Sequence, residues 1–96
     1  MEQQMLDENT AQMLDGNALA GMLYEIFAIE MTTAPAQCNS CGRVGELGTL
    51  WAFTHGPGTV LRCPACHSIV LRIVQTPQAT YIDARGAAYL YIPRVQ

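Results

Sequence analysis

Four cysteines, grouped as Cys38-Asn39-Ser40-Cys41 and Cys63-Pro64-Ala65-Cys66, are the only ones in this chain of 96 residues. Their spacing restricts the possible folds more than any other feature. Two residues between ligands let one tight turn aim both sulfurs at a single ion about 2.3 Å away. The 21 residues between Cys41 and Cys63 suffice for a hairpin that returns the second turn to complete a tetrahedron. The pattern reads as a zinc ribbon with one Zn2+ per chain, ligated by Cys38, Cys41, Cys63 and Cys66.

Size makes such a staple necessary. Chains this short bury only about 60–65% of the surface their unfolded form exposes, so a metal or disulfide is expected to supplement the core. Disulfides are the rival reading. Met1 is followed by Glu2, Gln3 and Gln4, with neither a basic start nor an apolar run of secretory-signal length. A cytoplasmic, reducing location is therefore expected, and there paired C-x2-C motifs act as metal ligands. No apolar stretch approaches the roughly 20 residues of a membrane helix, so no membrane association is expected.

Charge is unevenly distributed. Residues 1–37 hold Glu2, Asp7, Glu8, Asp15, Glu25 and Glu30 with no base, whereas residues 38–96 set Arg43, Arg62, Arg72, Arg85 and Arg94 against Glu46 and Asp83. The first part carries −6 and the second +3. Four thiolates and one Zn2+ would bring the second part to about +1. That is too little positive charge for a sequence-independent grip on phosphates.

Residues 1–13 are polar and acidic without a clean period and read as a flexible arm, leaving 14–96 as one domain of helix plus ribbon. Asp15-Gly16-Asn17 forms a turn and cap. Ala18, Leu19, Met22, Leu23, Ile26 and Phe27 then recur at helical spacing, predicting one N-terminal amphipathic helix that lids a sheet face. Ile29 to Thr32 alternates as a short strand would, with Pro35 ending it. Leu47 to Thr54 and Thr59 to Cys63 read as strands joined across His55-Gly56-Pro57-Gly58, followed by strands at Ser68 to Gln75, Thr80 to Asp83 and Ala87 to Ile92. The expected fold is a small antiparallel sheet of about 4–6 short strands.

The residues flanking the cysteines suit metal-binding turns. Pro64 fixes φ where the second turn begins. Gly42 and His67 each follow a second cysteine, where a left-handed conformation is needed, and His is among the few non-glycine types enriched there. Iron is the competitor for zinc, because paired turns of this kind also resemble those of rubredoxins, which carry one electron. Rubredoxins have glycine after both turns, whereas His67 stands at the second one here, and zinc is favoured over iron.

A catalytic zinc keeps an open position with three protein ligands, and two regular cysteine pairs leave none open. With no nucleophile triad and no glycine-rich phosphate loop evident, catalysis by the chain alone is not expected. Nucleic-acid binding is the standard alternative for such a fold: Arg62 and Arg72 can share an exposed face of adjacent strands, with Trp51, Phe53 and Tyr81 available for stacking.

From Leu14 to about Tyr91 the chain resembles a family of small, uncharacterised bacterial zinc-ribbon proteins, found mainly in actinobacteria. The matching residues are Leu14-Asp15-Gly16-Asn17-Ala18, Cys38 to Cys41 with Gly42, Val60-Leu61-Arg62-Cys63-Pro64 with Cys66, and Arg72, Thr76-Pro77, Asp83 and Arg85-Gly86. The resemblance implies a companion of larger metabolic or redox proteins. The resulting expectation is a zinc-binding accessory or regulatory subunit acting through protein–protein interaction. A nucleic-acid-binding ribbon is the first alternative, and a rubredoxin-like electron carrier the second.

Overall fold

The structure is a computed structural model and describes residues 13–94. It contains strand β1 (Met13–Asp15), a 3-10 turn (Gly16–Leu19), helix α1 (Ala20–Phe27), β2 (Pro35–Cys38), β3 (Val44–Glu46), a second 3-10 turn (Leu47–Thr49), β4 (Trp51–Phe53), β5 (Thr59–Arg62), β6 (Ile69–Gln75), β7 (Thr80–Asp83) and β8 (Ala87–Leu90). The eight strands form two sheets, a five-stranded one in the order β1-β4-β5-β6-β7 and a three-stranded one in the order β3-β2-β8. Every pairing is antiparallel.

The expectation of one sheet with about 4–6 strands is thus corrected to two sheets, and two local readings account for the difference. Ile29 to Thr32 is not a strand: the Glu30 carboxylate accepts hydrogen bonds from the Thr32 amide and hydroxyl, folding the segment into a turn. The same two bonds lower the Glu30 pKa. Pro35 begins a strand rather than ending one. It takes the first position of β2, the central strand of its sheet, where a missing N–H is tolerated. The run from Leu47 to Thr54 also divides, because the turn Leu47–Thr49 carries the chain from one sheet to the other. Gly48 makes this passage possible: a Cβ there would overlap the Asn17 side chain and lie 3.0 Å from the Thr32 carbonyl oxygen.

Asp15 caps the first 3-10 turn by accepting the Asn17 amide at 3.0 Å, as the sequence suggests. The acidic arm assigned to residues 1–13 lies outside the described residues except for Met13, which opens β1 opposite Phe53. Helix α1 begins later than its periodicity implies, after the 3-10 turn, and ends where Ala28 turns left-handed with its amide bonded to the Tyr24 carbonyl.

One core unites the elements. Leu19 and Leu23 of the helical segment are buried together with Leu47 of the second 3-10 turn and with Ala36, Ala52, Leu61, Val70, Leu71 and Ile73 from both sheets. The opposite face of the five-stranded sheet is different. Trp51, Phe53, Val60, Arg62 and Val74 are half-buried there, while Arg72 and Tyr81 are exposed. The pairings Trp51↔Arg62, Phe53↔Val60, Val60↔Arg72 and Val74↔Tyr81 place all of them on one side.

Candidate metal centre

The two cysteine turns are built alike. In the first, the Cys38 amide donates to the Arg43 carbonyl at 2.8 Å and the Gly42 amide to the Cys38 carbonyl at 2.9 Å. In the second, the Cys63 amide donates to Ser68 at 2.9 Å and His67 to Cys63 at 2.7 Å. Both turns need a left-handed residue after the second cysteine. Gly42 supplies it with φ 83° and His67 with φ 68°, as the sequence predicts. The Ala65 amide points at the Cys63 sulfur from 3.4 Å, placing a donor where a thiolate would carry charge.

The sulfurs of Cys38, Cys41, Cys63 and Cys66 all lie within 4.8 Å of one another. Cys38 and Cys66 are 3.6 Å apart, and Cys41 and Cys63 are 3.7 Å apart. A tetrahedron with metal–sulfur bonds of about 2.3 Å has sulfur–sulfur edges of about 3.8 Å. The cluster is therefore of the size an ion such as zinc requires, and far wider than the roughly 2.05 Å of a disulfide. Cys38 and Cys63 are buried and Cys41 and Cys66 reach the surface.

Electrostatics support the same conclusion. Hydrogen bonds from the Ser68 hydroxyl and amide draw Cys66 down to about 6. Cys41 receives a bond from the Arg43 amide that favours its thiolate, but desolvation and the three neighbouring sulfurs outweigh it and push the thiol up to about 11. Four sulfurs this close cannot all ionise without a cation among them. The four cysteines can hold a metal ion, and they leave no ligand position open.

The site joins the two sheets, since Cys38 ends β2 of the three-stranded sheet and Cys63 follows β5 of the five-stranded one. A second tie runs beside it. Where the chain returns from β7 to β8, the Gly86 carbonyl accepts the Asn39 amide at 2.8 Å, and a Cβ on Gly86 would overlap the Ile69 carbonyl oxygen. Arg72, Asp83, Arg85 and Gly86, all among the residues that carry the family resemblance, come together with Ile69 around a shallow depression of about 250 Å³. Asp83 is bound by the Arg85 guanidinium at 2.7 Å.

Two sets of contacts, one of His67 and one of Arg62, escape a reading of spacing alone. The His67 ring lies against Trp51, with ring centres 4.7 Å apart. The Arg62 guanidinium donates to the His67 carbonyl at 2.7 Å and lies 5.9 Å from the centre of the Phe53 ring. Both follow from the β4–β5 register, which places Trp51 opposite Arg62 beside the second turn.

Fold and site together define a small two-sheet β protein with one short helix and a closed cluster of four cysteines. The chain belongs to a family of unknown function, DUF6510, whose description matches residues 7–95. Neither the curated proteins nor the solved structures contain a significant match to it. Among the described residues, no helix is long and apolar enough to cross a membrane.

Proposed function

We propose that this protein is a cytoplasmic zinc ribbon whose metal is structural and which serves as an accessory or regulatory subunit by presenting a surface to another protein. The observation that carries the reading is the aromatic face of the five-stranded sheet. Trp51, Phe53, Val60, Val74 and Tyr81 form an apolar band that is half-buried under His67 and Arg62 at one end and exposed at Tyr81, and partly open bands of this kind mark docking sites. A metal closed by four thiolates supports a role in shape rather than chemistry, and no enzymatic activity is assigned to the chain.

Nucleic-acid binding is the second reading, favoured by Arg62 and Arg72 lying on that same face among the aromatic rings. The accessory reading is preferred because Arg62 is already engaged by the His67 carbonyl and Arg85 by Asp83, and because the chain carries a net charge of −3.

Two measurements test the proposal. Elemental analysis of protein made in ordinary medium should find one zinc per chain; near-stoichiometric iron with a red colour would overturn the zinc assignment. Affinity capture from lysate of the source organism should then enrich a protein that Phe53→Ser with Tyr81→Ser fails to enrich, at unchanged melting temperature. Equal capture by both forms would refute the aromatic face as the docking surface.

A further inference from the structure

Strand β7 is the outer strand of the five-stranded sheet and pairs on one side only, with β6. The hairpin that precedes it shows which of its backbone groups are free. The Thr76 amide donates to the Ala79 carbonyl at 2.8 Å, so these residues form a hydrogen-bonded pair, and such pairs alternate along an antiparallel ladder. With Val74 opposite Tyr81 and Arg72 opposite Asp83, Tyr81 and Asp83 turn their N–H and C=O groups toward β6. Thr80 and Ile82 turn theirs outward, where no described group takes them up. The side chains add to this edge: Tyr81 is 62% exposed and Ile82 39%. Thr80 to Asp83 contains no proline, no lysine and no bulge, devices that ordinarily blunt an exposed edge, and its one charge, Asp83, is already paired with Arg85.

We propose that β7 pairs with β7 of a second copy of this chain, antiparallel, about a twofold axis passing between Tyr81 and the partner's Tyr81. In that register Thr80 stands opposite Ile82 of the partner subunit, and Ile82 opposite the partner's Thr80. Each of these two pairs exchanges both of its main-chain hydrogen bonds, using the outward groups and no others. The two Tyr81 rings meet in the closely spaced, non-bonded pair where cross-strand side chains lie nearest. Asp83 faces Ala79 of the partner subunit, so no like charges oppose one another.

Other registers are worse. A shift of one residue presents the groups of Tyr81 and Asp83 that already bond to β6. A shift of two, with Ile82 on the axis, needs the Ala84 carbonyl, which already accepts the Ala87 amide at 3.0 Å. The opposite shift of two, with Thr80 on the axis, needs the Gln78 amide, which already donates to Thr76 Oγ1 at 3.3 Å, so the edge is self-complementary in one register. The dimer it forms continues the aromatic sheet face from one copy into the next.

The test is sedimentation equilibrium of the metal-loaded full chain, combined with amide hydrogen exchange read residue by residue. The expected result is a concentration-dependent dimer in which exchange at Thr80 and Ile82 slows by about tenfold or more as the protein is concentrated. The amides of Tyr81 and Asp83 should be protected at every concentration. Ile82→Pro deletes one outward donor at an edge position that tolerates proline, and Tyr81→Arg sets like charges face to face on the axis while leaving the backbone intact. Both should remain folded monomers. The proposal is overturned by a monomer at all concentrations, by a dimer whose Thr80 and Ile82 amides exchange freely, by a dimer indifferent to both variants, or by an edge protected only when a different protein's strand is added.

Discussion

Replacing Gly86 by alanine adds a single methyl group at the point where the two sheets are tied together. The new Cβ would overlap the Ile69 carbonyl oxygen, 2.8 Å from that carbonyl's carbon and 3.0 Å from Val70 Cα, where carbon contacts ordinarily settle at about 3.5–4.0 Å. All three neighbours are backbone atoms of β6, so no side chain can swing aside. Gly86 has to move outward, and its carbonyl then leaves the Asn39 amide, which it accepts at 2.8 Å. Overpacking of this kind costs about 1–3 kcal/mol, and the lost hydrogen bond about 1 kcal/mol. The sum is about 2–4 kcal/mol, and a domain of this size loses about 4–8 °C in Tm per kcal/mol. A melt of the metal-loaded protein followed by circular dichroism should therefore fall by roughly 8–30 °C. A metal held by the cysteines should also be lost more readily to a competing chelator, since Asn39 lies between Cys38 and Cys41. The control has the opposite sign. Gly21 lies in α1 with nothing within 4 Å of its absent Cβ, so Gly21→Ala should stabilise by about 0.5–1 kcal/mol. If Gly86→Ala melts with the wild type, the close packing at this crossover is not what holds the sheets together.

Cys63→Ser should abolish stoichiometric metal binding and leave the chain unfolded or molten, because metal binding supplies folding free energy; a variant that keeps the wild-type melting temperature without metal would show that the site is not a staple. The Arg85 side chain, then its amide, and then the nearby Arg72 hold Asp83 down at about 2. A carboxylate depressed in this way contributes stability above its unfolded pKa, and the contribution is lost as pH falls through the folded value. Its carbon resonance should accordingly barely shift between about pH 5 and 3, the window in which an ordinary aspartate titrates, and should titrate there in Arg85→Ala. DNA and RNA should bind no more tightly than about 10 μM at physiological salt; tighter binding that weakens steeply with salt and vanishes in Arg62→Ala with Arg72→Ala would promote the second reading.

The clustering of the four cysteines was the most legible part of the sequence, because their spacing, the left-handed residue after each pair and the proline within the second turn are all local properties. The strands from Thr59 to Asp83 were legible for the same reason: alternation and turn residues agree along the whole stretch. The failures occur where a particular side-chain or packing contact, near or distant in the chain, overrules the periodic pattern. Ile29 to Thr32 alternates like a strand, but the Glu30 carboxylate captures Thr32 and curls the chain. Leu47 to Thr54 reads as one apolar strand, yet Gly48 must lie against Asn17 and the Thr32 carbonyl, which bends the chain out of one sheet into the other. The packing partner of Gly48 is more than fifteen residues upstream, so no window around Leu47 contains the reason for the break. Pro35 misleads in the reverse direction: it is a common terminator of strands, but an extended residue with no N–H also suits the first position of one.

The placement of the cluster between the sheets bears on which surfaces depend on the metal. Within the three-stranded sheet, only Ala36 and Cys38 belong to the buried core, too little apolar area for three short strands to persist unaided. That sheet is joined to the rest through the four-cysteine cluster, the Asn39–Gly86 bond and the Leu47 amide donating to Ala34 at 2.9 Å. The five-stranded sheet rests instead on Ala52, Leu61, Leu71 and Ile73 packed with Leu23 of the helix. Stripping the metal should therefore raise amide exchange first in β2 and β8 and only later in β5 and β6. A partner that reads Tyr89 and Tyr91, which extend from the three-stranded sheet, would lose its surface with the metal. A partner that reads the aromatic face around Phe53 would lose it only when the whole domain unfolds, so the metal dependence of binding identifies which surface the partner uses.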